Sequence, residues 1–203
     1  MAKRLFDILS SSVLLLLLAP VLLLVSVGIL VSDPGPILYR AARVGLNGRD
    51  FVMHKFRSMH ERDDRGSAIS SGDDPRIFPL GKVLRKLKLD ELPQLWDVLR
   101  GEMSIVGPRP EDPAIVAEHY TEAYMKSLQV RPGLTSPGSL YFYTHAEEAL
   151  LHGSAEADYL EHILPTKMAL DLEYVERSSV LYDIRVVIRT VAVIVLQTFA
   201  YRN

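Results

Sequence analysis

Hydrophobic and polar positions are distributed unevenly along this chain. From Val13 to Val31 nearly every residue is Leu, Val or Ile, interrupted by Ala19, Pro20, Ser26 and Gly28. A helix over 13–31 would be roughly 28 Å long, about one hydrocarbon core. The run is longer than the apolar part of a signal peptide, and the next residues, Ser32-Asp33-Pro34-Gly35-Pro36, read as a turn, so no cleavage is expected. Cations flank both ends, with Lys3 and Arg4 before and Arg40, Arg43 and Arg49 after. Positive residues prefer the cytoplasmic side, and Pro20 removes an interior helix hydrogen bond. Together they favour a re-entrant helix that enters, bends at Ala19-Pro20 and returns to the same face. A straight span is the alternative.

Beyond the turn the pattern shortens. Ile37–Tyr39 and Phe51–Phe56 are β-prone runs around Gly45-Leu46-Asn47-Gly48, which predicts a hairpin. Residues 61–75 are charged, rich in Gly and Ser and without apolar period, so a mobile loop is expected there, with Asp73 and Asp74 as turn formers. An amphipathic helix is predicted over 77–89. Leu92, Leu95, Trp96 and Leu99 recur at helical spacing after it, with Gly101 as the stop. Helices are also predicted over 114–128, 146–164 and 166–176. Residues 182–201 are mostly apolar. Asp183, Thr190 and Gln197 recur every seventh position as a narrow polar stripe flanked by Arg185 and Arg189, which suits a helix lying in a membrane interface. The fold expected is mostly α with short β-strands, an α+β chain. Its parts are a membrane helix over 1–36, a catalytic domain over 37–180 and an interfacial helix over 181–203.

Chemistry concentrates around Asp90-Glu91. Pro93 suits a first helical turn, which makes Asp90 a candidate N-cap with Glu91 just inside. Lys82, Arg85, Lys86 and Lys88 precede the pair. Such a pair either offsets the helix dipole or forms a phosphate-handling site, in which a carboxylate binds metal or attacks phosphorus. Lys55 and Arg57 flank Phe56, and Arg109 lies between Pro108 and Pro110, whose rings hold the backbone extended and aim the guanidinium. Arg131 sits in a second turn-rich segment. Lys55, Arg57, Arg85, Arg109 and Arg131 are the candidate phosphate-binding residues. Tyr141, Phe142 and Tyr143 suit core packing better than stacking on a base or sugar. Asp171 reads by default as a solvated helix residue or a cap.

Composition narrows the choices. A formal charge of −2 gives no basic signal for nucleic acid. The absence of cysteine excludes disulfides, Cys-ligated metals and a thiol nucleophile.

In order, Lys3-Arg4-Leu5-Phe6-Asp7, Gly35-Pro36-Ile37, Arg43-Val44-Gly45, Lys55-Phe56-Arg57-Ser58-Met59, Leu89-Asp90-Glu91-Leu92-Pro93-Gln94, residues 103–110 and Arg131-Pro132-Gly133 cover nearly the whole chain. With them the sequence resembles the monotopic phosphoglycosyl transferases, the bacterial sugar transferases of the undecaprenyl-phosphate type. The resemblance implies a bacterial inner-membrane enzyme facing the cytoplasm, with the helix bend at Ala19-Pro20 and a requirement for Mg²⁺. A UDP-sugar would be donor and undecaprenyl phosphate the acceptor. It implies that Asp90 attacks the β-phosphate to give an aspartyl phosphosugar and that Glu91 binds metal or acts as base. Arg109 would grip phosphate, and Asp171 and Pro20 would support the site. Ser136-Pro137-Gly138-Ser139 departs from the family pattern in a region expected to border the sugar. An Mg-dependent nucleotide-sugar hydrolase and a non-catalytic membrane scaffold are the rival readings.

Overall fold

A computed structural model describes residues 1–60, 74–146 and 155–200. Helix α1 (Ala2–Ser32) comes first, with Pro20 inside it. Asp7, Ser11, Leu15, Leu18, Leu22, Val25 and Ile29 form one stripe of that helix turned against the rest of the protein. The spacing of three and four is that of one helical face. On the opposite face Leu16, Leu17, Leu23, Leu24 and Val31 are exposed.

Both ends of α1 are tied down. Lys3 Nζ donates to the Val106 carbonyl at 2.9 Å, and Arg4 donates to the carbonyls of Val98 and Leu99 at 2.6 and 2.8 Å. Asp7 accepts from Ser104 Oγ at 2.9 Å and from the Ile105 amide at 3.0 Å. At the other end, Ile29 packs with Phe56, Phe78 and Leu84, and Asp33 receives Arg57.

Strands β1 (Leu38–Val44) and β2 (Asp50–Phe56) form the expected antiparallel hairpin, with Ala41 opposite Met53. Asn47 and Gly48 adopt positive φ in its turn, where Asn and Gly cost least. Most of the expected 61–75 loop, Asp73 included, lies outside the described residues. Asp74 is a turn former as expected, accepting from the Arg76 amide at 2.9 Å.

Helix α2 (Pro79–Lys86) is shorter than the predicted 77–89 helix, because Pro79 opens it and Lys88 turns left-handed at φ 54°. A 3₁₀ turn (Leu89–Glu91) leads into α3 (Gln94–Arg100), which Gly101 ends at φ 90°. Helix α3 buries Leu95 and Val98, whereas Trp96 is half-exposed, so the apolar face is rotated from the one expected.

Strands β3 (Ser104–Val106) and β4 (Gly133–Thr135) pair in parallel beneath α1 and α9. The predicted 114–128 helix is two pieces, α4 (Pro113–His119) and α5 (Glu122–Met125). Tyr120 is extended between them, and Thr121 starts the second by accepting from the Tyr124 amide. Helix α6 (Pro137–Tyr141) runs into a π-helical turn over Phe142–Ala146. Of the predicted 146–164 helix, residues 147–154 lie outside the described set. The remainder is α7 (Ala155–Asp158) and a π-helical turn over Tyr159–Ile163. Helix α8 (Leu164–Arg177) begins at the first-turn proline Pro165.

Helix α9 (Val180–Ala200) has an inverted arrangement. Asp183 and Thr190 of its polar stripe face inward. Asp183, fully buried, accepts from Lys3 Nζ at 2.7 Å and Tyr174 Oη at 2.5 Å, and Thr190 bonds Thr135 at 2.7 Å. Leu181, Ile184, Ile188, Val191 and Val195 face outward. The apolar side is the one left uncovered, the reverse of a water-facing surface helix.

Candidate active site

The dyad sits on the tight turn between α2 and α3. The amides of Leu95 and Trp96 bond back three residues, to Leu92 and Pro93, so the helix proper begins only at Gln94. Asp90 makes no cap bond and is not the N-cap. Proline in the turn, which has no N–H to give, favours this compact geometry. The two carboxylates are thereby left free to meet β2 and the residues after β3. Both are buried, at 7% and 8% exposure.

Glu91 is held by cations. Lys55 Nζ lies 3.3 Å from Oε1 and Arg109 Nη1 3.3 Å from Oε2, while Arg109 Nη2 bonds Oε1 as well. Burial pushes this carboxyl upward, but Arg109 and Lys55 together outweigh it and keep the group ionised far below the usual carboxylate range. Asp90 behaves oppositely. Burial first, then the charge of Glu91, push its carboxyl up to about 6, against the pull of Lys55, Arg85 and Lys88. Its Oδ1 is buried without a hydrogen-bond partner. One carboxylate is a clamped anion; its neighbour is poised near neutral pH with an unused oxygen.

Lys55 is aimed by its neighbour. The His54 amide donates to Asp97 Oδ2 at 2.9 Å, and the His54 ring meets Asp97 Oδ1 at 2.7 Å, which fastens β2 to α3 beside the turn. Burial lowers the pKa of the Lys55 ammonium, and Arg109 adds to that, while Glu91 opposes it.

Not every candidate converges here. Arg85 bears on Asp90 electrostatically and reaches Met59 Sδ at 3.8 Å. Arg57 turns away from the dyad: its Nε donates to the Pro36 carbonyl at 2.6 Å, its other nitrogens bind Asp33, and it sits against the Phe78 ring. It fastens the end of α1 to β2. Arg131 Nε donates to the Gly101 carbonyl at 2.7 Å, at the end of α3. Asp171 is fully buried on α8 and accepts from the Gly138 amide at 2.9 Å; burial lifts its carboxyl to about 6. Pro20 lies on the exposed part of α1.

Three residues in or beside the site were not among the candidate site residues: Lys88 read only as part of a basic run, Tyr143 as core packing, and Gln94 had no assigned role. Tyr143 accepts from Arg109 Nη1 at 3.3 Å, and Lys88 stands 4.2 Å from the centre of its ring. Gln94 is buried with its Nε2 unpartnered. For Gln94 the available signal was its place four residues after Asp90, the same helical face; for Tyr143 no sequence signal pointed to Arg109.

The fold thus combines a buried, cation-lined carboxylate pair on the turn between α2 and α3 with two long helices, α1 and α9, that each leave an apolar face uncovered. The chain belongs to the bacterial sugar transferase family, whose model matches residues 1–197. It is 36% identical to a UDP-glucose:undecaprenyl-phosphate glucose-1-phosphate transferase of Xanthomonas campestris pv. campestris, over 98% of this chain and 40% of that protein. It is 37% identical to a protein of the same name from Caulobacter vibrioides, over 98% of this chain and 72% of the relative. A UDP-N-acetylgalactosamine-undecaprenyl-phosphate N-acetylgalactosaminephosphotransferase of Aeromonas hydrophila is 35% identical over 95% of this chain and 43% of its own length. The chain thus spans less than half of two of these relatives and most of the third.

Proposed function

We propose that this protein transfers a sugar-1-phosphate from a UDP-sugar to undecaprenyl phosphate, through a covalent phosphosugar on Asp90, at the cytoplasmic face of the bacterial inner membrane. The observation that carries the proposal is the contrast within the dyad: Glu91 is held by Arg109 and Lys55, whereas Asp90 is buried with an unpartnered oxygen and a carboxyl near neutrality. The names of the relatives supply the donor and acceptor classes, and their differing sugars leave the sugar open.

In the first step an Asp90 carboxylate oxygen forms a bond to the donor β-phosphorus. The bond from that phosphorus to the bridging oxygen breaks, and UMP leaves with the electron pair. In the second step a phosphate oxygen of the lipid attacks the same phosphorus and releases the Asp90 carboxylate. Splitting one displacement into two lets a protein group sit where the lipid phosphate must later arrive. Arg109 and Lys55, fixed before the donor enters, present positive charge to the diphosphate.

Among the described residues no group of three or more acidic or histidine side chains could cage a metal. The residues still fit Mg²⁺, which is held by one or two carboxylates together with substrate phosphates. Asp90 and Glu91 are the groups that would hold it, and bound there it would neutralise the diphosphate.

The outward apolar faces of α1 and α9 support residence in the bilayer surface. Lys3 and Asp33, at the two ends of α1, both contact the same body, which supports a helix that returns to the face it entered. On this reading 1–36 dips into the membrane, 37–180 carries the chemistry and 181–203 lies along the interface. Mass spectrometry of enzyme quenched with donor alone tests the chemistry. A phosphosugar adduct on Asp90 is expected; an active preparation that never carries one overturns it.

A further inference from the structure

Tyr143 touches two of the cations that bear on Glu91. Its hydroxyl accepts from Arg109 Nη1 at 3.3 Å, and the Lys88 ammonium lies 4.2 Å from its ring centre. The side chain is 6% exposed, so both contacts are made away from bulk water, where a cation gains more from an aromatic face. Arg109 is the group that grips Glu91, and Lys88 is the left-handed residue from which the dyad's turn springs.

The ring arrives with little freedom. Ser136 Oγ accepts from the Ser139 amide at 2.9 Å, and Asp171 Oδ1 accepts from the Gly138 amide at 2.9 Å, which pins the start of α6 to α8. Gly138 permits that approach, since a Cβ there would lie 2.6 Å from the Lys167 carbonyl oxygen and 2.7 Å from Asp171 Oδ2. Tyr143 follows directly in the π-helical turn that continues α6.

We infer that Tyr143 is a positioning residue for the donor diphosphate: it braces Arg109 and Lys88 as fixed cations beside the dyad, and Asp171 acts on the site through it. This rests on the transferase reading. A diphosphate entering the site competes with Glu91 for Arg109. A guanidinium already braced by a phenol offers its N–H groups in one direction, so less freedom is lost when the donor binds. The segment that opens at Ser136-Pro137-Gly138-Ser139 thereby reaches the phosphate grip itself.

UDP binding by calorimetry, on the full chain in detergent, reads the grip without turnover; UMP release from a UDP-sugar reads the reaction. Tyr143→Phe keeps the ring and the packing and removes the hydroxyl. Its UDP Kd and donor KM are expected to rise about three- to tenfold, with kcat changed much less and the melting temperature unchanged. Tyr143→Leu should weaken UDP further. Asp171→Asn should raise donor KM in the parent but add little on the Tyr143→Leu background, because coupled residues are not additive. Parent-like UDP affinity in a folded Tyr143→Phe and Tyr143→Leu overturns the inference while leaving the transferase reading intact. If Tyr143→Leu does not fold, Tyr143→Phe decides alone. A parent protein that neither binds UDP nor releases UMP overturns the transferase reading, and the inference with it.

Discussion

Arg109 grips Glu91 with both of its terminal nitrogens, and that fork is what separates the two carboxylates of the dyad. The Arg109 side chain is only a quarter exposed and its partner is buried, so geometry as well as charge matters: a fork delivers two hydrogen bonds that a point charge cannot. Arg109→Lys keeps the charge and loses the fork. UMP release should fall about a hundredfold in kcat/KM, equivalent to roughly 3 kcal/mol of transition-state stabilisation. The melting temperature should also fall, because Glu91 is left buried with poorer partners. Steady-state kinetics and thermal melts of the two proteins check both.

Asp90 carries the pH dependence. Its carboxyl is lifted to about 6, chiefly by burial and then by Glu91, and only the ionised form attacks phosphorus. UMP release should therefore rise as pH increases through about 6 and then level, in a kcat/KM profile measured with donor well below saturation, which reports the free enzyme. The sign for stability is opposite. A carboxyl whose pKa is raised on folding binds its proton more tightly in the folded state, so its ionisation costs stability progressively from about pH 4 to about pH 6. At neutral pH the cost is on the order of 2–3 kcal/mol. Asp90→Asn removes it: the variant should release no UMP and yet melt several degrees higher than the parent at pH 7.5. Full release by Asp90→Asn would exclude Asp90 as nucleophile.

The rival hydrolase reading shares the covalent step and parts from the transferase only in its product. With Mg²⁺, UDP-sugar and undecaprenyl phosphate, the product expected is lipid-linked diphosphate sugar, and chromatography of the lipid fraction should recover it in proportion to UMP. Free sugar-1-phosphate formed equally well without the lipid would favour the hydrolase.

Short-range signals were legible in the sequence. The hairpin could be placed from Gly45 to Gly48 because a turn needs residues tolerant of positive φ, and Gly101 marked the end of α3 for the same reason. The dyad and Arg109 stood out by local context, a carboxylate pair after a basic run at an expected helix start and an arginine bracketed by prolines, although the pair alone fitted a dipole role equally. Long-range pairing was not. Arg57 and Arg131 looked like phosphate ligands because a sequence shows charge but not its partner; only the fold brings Asp33 to the first and the Gly101 carbonyl to the second. The heptad of Asp183 and Thr190 gave the polar stripe of α9 but not its direction. That direction depends on Lys3, Tyr174 and Thr135, residues on other elements of the fold.

The inverted face of α9 makes a direct prediction about the membrane. Ile188 is 63% exposed on the outer side, away from the stripe that carries Asp183. Ile188→Asp costs the fold little but places a charge where lipid is expected, and an ionised carboxylate is strongly disfavoured there. Co-sedimentation with anionic liposomes should drop several-fold while UMP release in detergent persists. Unchanged sedimentation would mean that α9 does not meet the bilayer.

The course of α1 can be read from its two ends. The chain has no cysteine, so single cysteines report without background. Ala2→Cys marks the start of α1, Leu17→Cys its exposed middle, and Tyr39→Cys, at a residue 56% exposed, the body beyond it. If the helix dips and returns, an impermeant maleimide added to intact cells should modify neither Ala2→Cys nor Tyr39→Cys. Added to inside-out vesicles, it should modify both. Leu17→Cys should resist in either preparation until detergent dissolves the bilayer, because a thiol within hydrocarbon stays protonated and unreactive. A straight span gives a different pattern, with Ala2→Cys modified from outside the cell and Tyr39→Cys only from within. That result would break the link between Pro20 and the return of the chain, and it would require the contacts of Lys3 and Asp7 with β3 to open in the membrane.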